Sequence, residues 1–217
     1  EAKKNALMNA GLEKGTFITL DICTEIEDKN TCKLHQENQS YLDGGYITDI
    51  QEIKQEIKGN GLNRTCYVKI EAQIKKYKSQ HDPNYVFSAS LKNTILKEND
   101  EIIIEGEISN LSNIFLLSVD FDSNNYIKII PNKYENLSNI SSKFVLPSTN
   151  SYKLEARFPK NYKKNTIHEF LILLATKKSF KLNDKENSSD FYKRLDDLNR
   201  ENWRLIRLGY TIVRDKK

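Results

Sequence analysis

"NIFLLSVDFDSNNYIKIIPNKYE" (113–135) carries two apolar runs, a polar turn between them and a proline at the close. Runs of five to nine residues rich in Ile, Leu, Val and Phe, bounded by Asp and Asn, read as a pair of strands with a hairpin tip. The same reading extends outward in both directions. "YVFSASL" (85–91) and "EIIIEGEI" (101–108) precede it, and "KFVLP" (143–147), "SYKLEARF" (151–158) and "HEFLILLAT" (168–176) follow. Short strands at regular intervals, separated by turn residues, predict an antiparallel β-sandwich or barrel-like domain over 85–183.

The chain changes character on either side of that block. Upstream, Ala6, Leu7, Ala10, Phe17, Ile18 and Ile22 recur at helical spacing, which predicts a helix from about residue 2 to the low twenties. The polar stretch "EDKNTCKLHQENQS" (27–40) comes next. "GGYITDIQEIKQEI" (44–57) and "RTCYVKIEAQIKKY" (64–77) then alternate as strands around "KGNGLN", whose Gly59, Asn60 and Gly61 form a turn. Residues 1–78 therefore read as a helix and β-hairpin module, divided from the β block by the polar "KSQHDPNY" (78–85). Downstream, "LNDKENSSD" (182–190) reads as a polar linker. Ser189 or Asp190 is placed to cap a helix through "FYKRLDDLNREN" (191–202), and residues 184–217 end in a strand that alternates from Leu208 to Val213. The fold class expected is α+β.

Composition narrows the function. The 217 residues are 38% hydrophobic, enough for a core, and 34 basic side chains against 30 acidic ones leave a formal charge of +4. The charges are interspersed, so the concentrated basic stripe of a nucleic-acid protein is missing. "KKYK" (75–78) and "KNYKK" (160–164) read as solvated loops beside turns. No apolar run reaches the ~20 residues of a transmembrane helix. No H-E-x-x-H, G-x-S-x-G, P-loop or G-x-G-x-x-G arrangement occurs, and His35, His81 and His168 are scattered. Catalytic residues and cofactors are accordingly not assigned.

Three features could still hold chemistry. Asp120, Asp122 and Asn124 in "VDFDSNN" alternate like the start of a calcium loop, but Gly at the sixth position and Glu at the twelfth are missing. A hairpin tip in water is the better reading, since Asp and Asn are ordinary turn residues. Cys23 and Cys32 lie close in sequence without the C-x-x-C pair of a zinc site. They are expected as a disulfide in an oxidising compartment, with Cys66 a buried thiol on an inward strand face. Tyr126, Tyr134, Tyr152 and Tyr162 would supply stacking surfaces if they stood on the outside of the sheets.

"LKENDEIIIEGEISNLSNIFLLSVDFDSNNYIKIIPNKYE" (96–135) resembles a β-rich domain-of-unknown-function family found in bacterial envelope proteins and appended to some caspase-like peptidases. The likeness runs through Leu96 to Asp100, Ile114 to Asp120 and Ile129-Ile130-Pro131-Asn132, and covers about 85–183. Asn99 replaces the family's usual Gly and can take the same left-handed turn. In the first segment, "AKKNALMNAGLEKGTFI", "GGYITDIQEI" and "CYVKIEAQI" resemble the N-terminal module of flagellar assembly protein FlgT and related small envelope lipoproteins. These resemblances imply a periplasmic or outer-membrane-associated scaffold or assembly protein without enzymatic activity. A lipid anchor upstream fits that expectation, as do protein partners or a second subunit at strand edges and loop tips. The alternative is a glycan- or peptidoglycan-binding module using the tyrosines.

Overall fold

The computed structural model describes residues 23–25, 32–34, 45–58, 65–120, 125–160 and 162–214. The chain forms two compact units, 1–80 and 81–217. The helix expected over the first twenty or so residues lies outside the described residues.

In the first unit, β1 (Cys23–Glu25) pairs antiparallel with β2 (Cys32–Leu34), Cys23 opposite Leu34 and Glu25 opposite Cys32. This small ladder sits partly within a stretch read from sequence only as polar. The expected hairpin is present: β3 (Gly45–Lys58) runs antiparallel to β4 (Thr65–Lys76), from Gly45–Lys76 to Lys58–Thr65. Register shifts between Ile47 and Asp49 and between Glu52 and Lys54 mark irregularities that raise local twist. At its open end Tyr46 is buried and stacks on Tyr77 at 5.3 Å between ring centroids.

The second unit is built from two sheets. The smaller has β7 (Ile104–Ile108) at its centre, flanked by β5 (Phe87–Leu91) and β11 (Lys143–Leu146). The larger contains β6 (Ile95–Lys97), β8 (Ser112–Asp120), β9 (Asn125–Ile130), β12 (Thr166–Thr176), β13 (Lys185–Asn187) and β14 (Trp203–Val213). Its order is β13-β9-β8-β12-β14-β6, with β10 (Leu137–Ile140) also on β8. All its pairs are antiparallel except β14 with β6.

Alternation assigns the faces. Ile114 and Leu116 of β8, Leu171 and Leu173 of β12 and Leu208 and Ile212 of β14 meet Ile104, Phe144 and Leu146 of the smaller sheet in one core. On the other face, Tyr126 of β9 packs edge-on against Phe191 of helix α1 (Ser188–Asp197), 4.9 Å between centroids. Phe115 of β8 meets Phe180 at 5.9 Å. Burial on both faces explains why 114–117 and 171–175 read as continuous apolar runs rather than alternating ones.

Several local expectations change. Asn187, not Ser189 or Asp190, caps α1: its side chain accepts the Ser189 amide at 2.9 Å. The segment read as a linker contains β13, tied to β9 and held by an Arg194–Glu186 pair at 2.6 Å. The closing strand begins five residues earlier than its alternation suggested, at Trp203, and pairs with β12 along all eleven of its residues. "SYKLEARF" makes one isolated bridge, Glu155 to Glu101, although Ala156 and Phe158 are buried. At Asn99 the backbone takes φ 73°, the left-handed conformation in which Asn stands in for Gly.

Candidate functional site

Glu169 is the residue that the fold places against expectation. On β12 it alternates in phase with Leu171 and Leu173, so it stands on the face that forms the core. Across β14 its register partner is Tyr210, in phase with Leu208 and Ile212. Toward β8, the register that pairs Leu171 with Ser118 brings Glu169 abreast of Asp120. Asp120 in turn pairs with Asn125 on β9. One cross-strand row therefore reads Asn125, Asp120, Glu169, Tyr210, at the end of the core where the inward positions turn polar.

The electrostatics follow from that placement. Glu169 is half-buried, and among the described residues no donor hydrogen-bonds its carboxylate. Burial first, and the negative charge of Asp120 second, push the Glu169 carboxyl up to about 7. Burial and then the charge of Glu169 raise the phenols of Tyr210 and Tyr162 in the same way, although Arg214 pulls Tyr162 back. Asp120 has a cationic neighbour in Lys185 of β13, whose Nζ lies 3.3 Å from Oδ2. A carboxyl that keeps its proton to near neutrality beside a second carboxylate can take up or release that proton around pH 7.

The other sequence candidates are dispersed. Asp120 ends β8, while Asp122 and Asn124 lie outside the described residues. Among the described residues no group of three or more His, Cys, Asp or Glu could hold a metal ion. Cys23 and Cys32 fall on β1 and β2, and Cys66 falls on β4; the side chains of all three are outside the described part.

The tyrosines separate by environment. Tyr126 is buried under α1, so it offers no outer surface. Tyr162 is half-buried, stacks on Phe158 at 5.6 Å and donates to the Thr166 carbonyl. Tyr134 is 49% exposed and stacks on Tyr152 at 5.8 Å, with Lys133 Nζ 4.6 Å above its ring. Beneath this pair Glu135 is buried. It accepts the Ser148 amide at 2.7 Å and the Tyr152 hydroxyl, while Asn132 accepts the amides of Tyr134 and Glu135. Burial and then the hydrogen bond to Glu135 raise the Tyr152 phenol. Glu135 is thus committed to holding the turn.

The Glu169 position was findable. "TIHEFLILLAT" puts one charged residue in step with Ile167, Leu171 and Leu173, and a charge in an inward phase is the signal. No protein-family model matches the chain, and neither a curated protein nor a solved structure shows significant similarity to it.

Proposed function

We propose that this chain is a non-enzymatic scaffold or assembly protein of the bacterial cell envelope, periplasmic or lipid-anchored, that binds other proteins. The motif resemblances favour an accessory of a flagellar or other surface assembly. In this reading the first unit is a helix laid on the β3–β4 hairpin, stapled by Cys23–Cys32, and the second is a β-sandwich. The observation that carries the proposal is the character of two sheet edges. Among the described residues β6 pairs only with β14, and β11 only with β7. Yet these edges show Ile95 at 69% and Val145 at 48% exposure. Edge strands are normally guarded by charge, and apolar residues there favour strand addition by a partner.

The test is site-specific photocrosslinking at Ile95 and Val145 in the envelope of the native host. A discrete protein adduct, lost in Ile95→Lys or Val145→Lys and missing from a control at Ser88, is expected. Adducts no different from the Ser88 control would count against the proposal. A second reading, glycan binding, is favoured by the exposed Tyr134–Tyr152 stack, because sugar rings pack on aromatic faces. Co-sedimentation with peptidoglycan, lost in Tyr134→Ala, would support it, and no sedimentation would remove it.

A further inference from the structure

Glu169 belongs to neither the edges nor the tyrosine stack, and its surroundings on every side bear on what it does. From β8 the charge of Asp120 acts on it, from β14 Tyr210 is its register partner, and from the connection before β12 comes Tyr162. On its own strand the flanking in-phase residues are Ile167 and Leu171. Lys185 is engaged with Asp120, and Arg214 is turned to the Tyr162 carbonyl at 2.8 Å and to Glu98 at 3.4 Å. When Glu169 is ionised, a second negative charge stands beside the Asp120 carboxylate that Lys185 holds. When it is protonated, the Lys185–Asp120 pair is free of that neighbouring charge.

That corner is also where three strands depend on one another. β8 ends at Asp120, β9 begins opposite it at Asn125, and β13 is joined to the sheet by its ladder with β9 and by the Lys185–Asp120 pair. We propose that the Asp120–Glu169 row is a proton-operated latch, closed when Glu169 carries its proton and loosened at the β8–β9–β13 corner when Glu169 is charged. The repulsion falls on the end of β8, while the middle of the sheet, held by β12 and β14 over eleven pairs, is unaffected.

Amide hydrogen exchange, corrected for intrinsic rates and followed from about pH 5.5 to about pH 8.5, tests this directly. In the wild-type chain, protection at 117–120, 125–128 and 185–187 should fall about tenfold or more across that range, one pKa unit of coupling being a factor of ten. Protection at 171–175 and 203–208 should hold. Glu169→Gln should remove the pH dependence at the corner, and Asp120→Asn should shrink it. A corner whose protection changes in parallel with the sheet centre, or an unchanged pH dependence in Glu169→Gln, would overturn the latch. Carboxyl titration of Glu169 by carbon NMR in the unmutated chain gives a reading that needs no variant. A midpoint near neutrality is expected, and one below about 5 would sink the proposal.

Discussion

At the scale of single residues, the buried Glu135 and the half-buried Glu169 meet opposite surroundings. Glu135 is met by an amide and a hydroxyl, whereas Glu169 is met by a second carboxylate and two phenols. Removing them should therefore have opposite signs. Glu135→Ala leaves the Ser148 amide without its acceptor, and a loss of about 2–3 kcal/mol is expected from denaturant unfolding at neutral pH. For Glu169 the ordinary value of 4.5 is raised to about 7 in the fold. Below 4.5 both states hold the proton and the favourable contribution is complete. As pH climbs toward and through 7, the unfolded chain has released it while the folded chain must still do so, and stability is lost. Glu169→Gln should match the wild type near pH 4.5 and exceed it above pH 7.5 by on the order of 2–3 kcal/mol, read from urea melts at several pH values. A variant less stable than wild type at both ends would place a hidden donor on Glu169.

Among elements, the glycine of β7 shows how closely two strands can be made to depend on one another. Gly106 pairs with Phe144 of β11, and a Cβ built at Gly106 would lie 2.7 Å from the Phe144 Cε1 and closer still to Cζ. That ring is buried and stacks on Phe87 at 6.2 Å, so moving it disturbs a packed neighbour. Gly106→Ala should cost about 1–3 kcal/mol, and adding Phe144→Leu should recover part of it; thermal melts of both variants check this. The elements also show what the residue pattern could convey. β8 and β12 were legible because both faces are buried, so every position is apolar. β2 and β13 were not, because three-residue strands held by pairing, CKL in one and KEN in the other, are too short to carry a hydrophobic period. The start of β14 was hidden by arginines in inward positions. Arg204 covers Tyr85 at 5.0 Å, and Arg207 donates to the Tyr192 hydroxyl at 3.2 Å. In "SYKLEARF" the alternation was genuine but reported burial rather than pairing. Leu154 and Ala156 accept from Ile102 and Asn99 without forming a ladder. The Glu169 row needed a register across four strands, which no local pattern contains.

For the molecule as a whole, the first residues of the second unit are fastened to its own sheet. Arg204 donates from Nε to the Tyr85 carbonyl at 2.8 Å and from Nη2 to the Asp82 carbonyl, and Lys177 pairs with Asp82 at 2.6 Å. Trypsin should therefore cut first after Lys76 or Lys78, ahead of the fastening, and Arg204→Ala should speed that cut several-fold while sites within the sheets keep their order. Mass spectrometry of the early fragments distinguishes this from a first cut between β8 and β9. The place of β14 has a consequence for how the chain is made. Its residues are the last of the sheet to be synthesised, yet they lie between β12 and β6 and give β6 its only described partner. Once β6 has left the ribosome it thus waits, with Leu96 and Ile102 still wet, for a strand more than a hundred residues behind it. A chain stalled before Trp203 should be a client for holding chaperones and sensitive to protease throughout residues 81–202, rather than a shortened version of the finished protein.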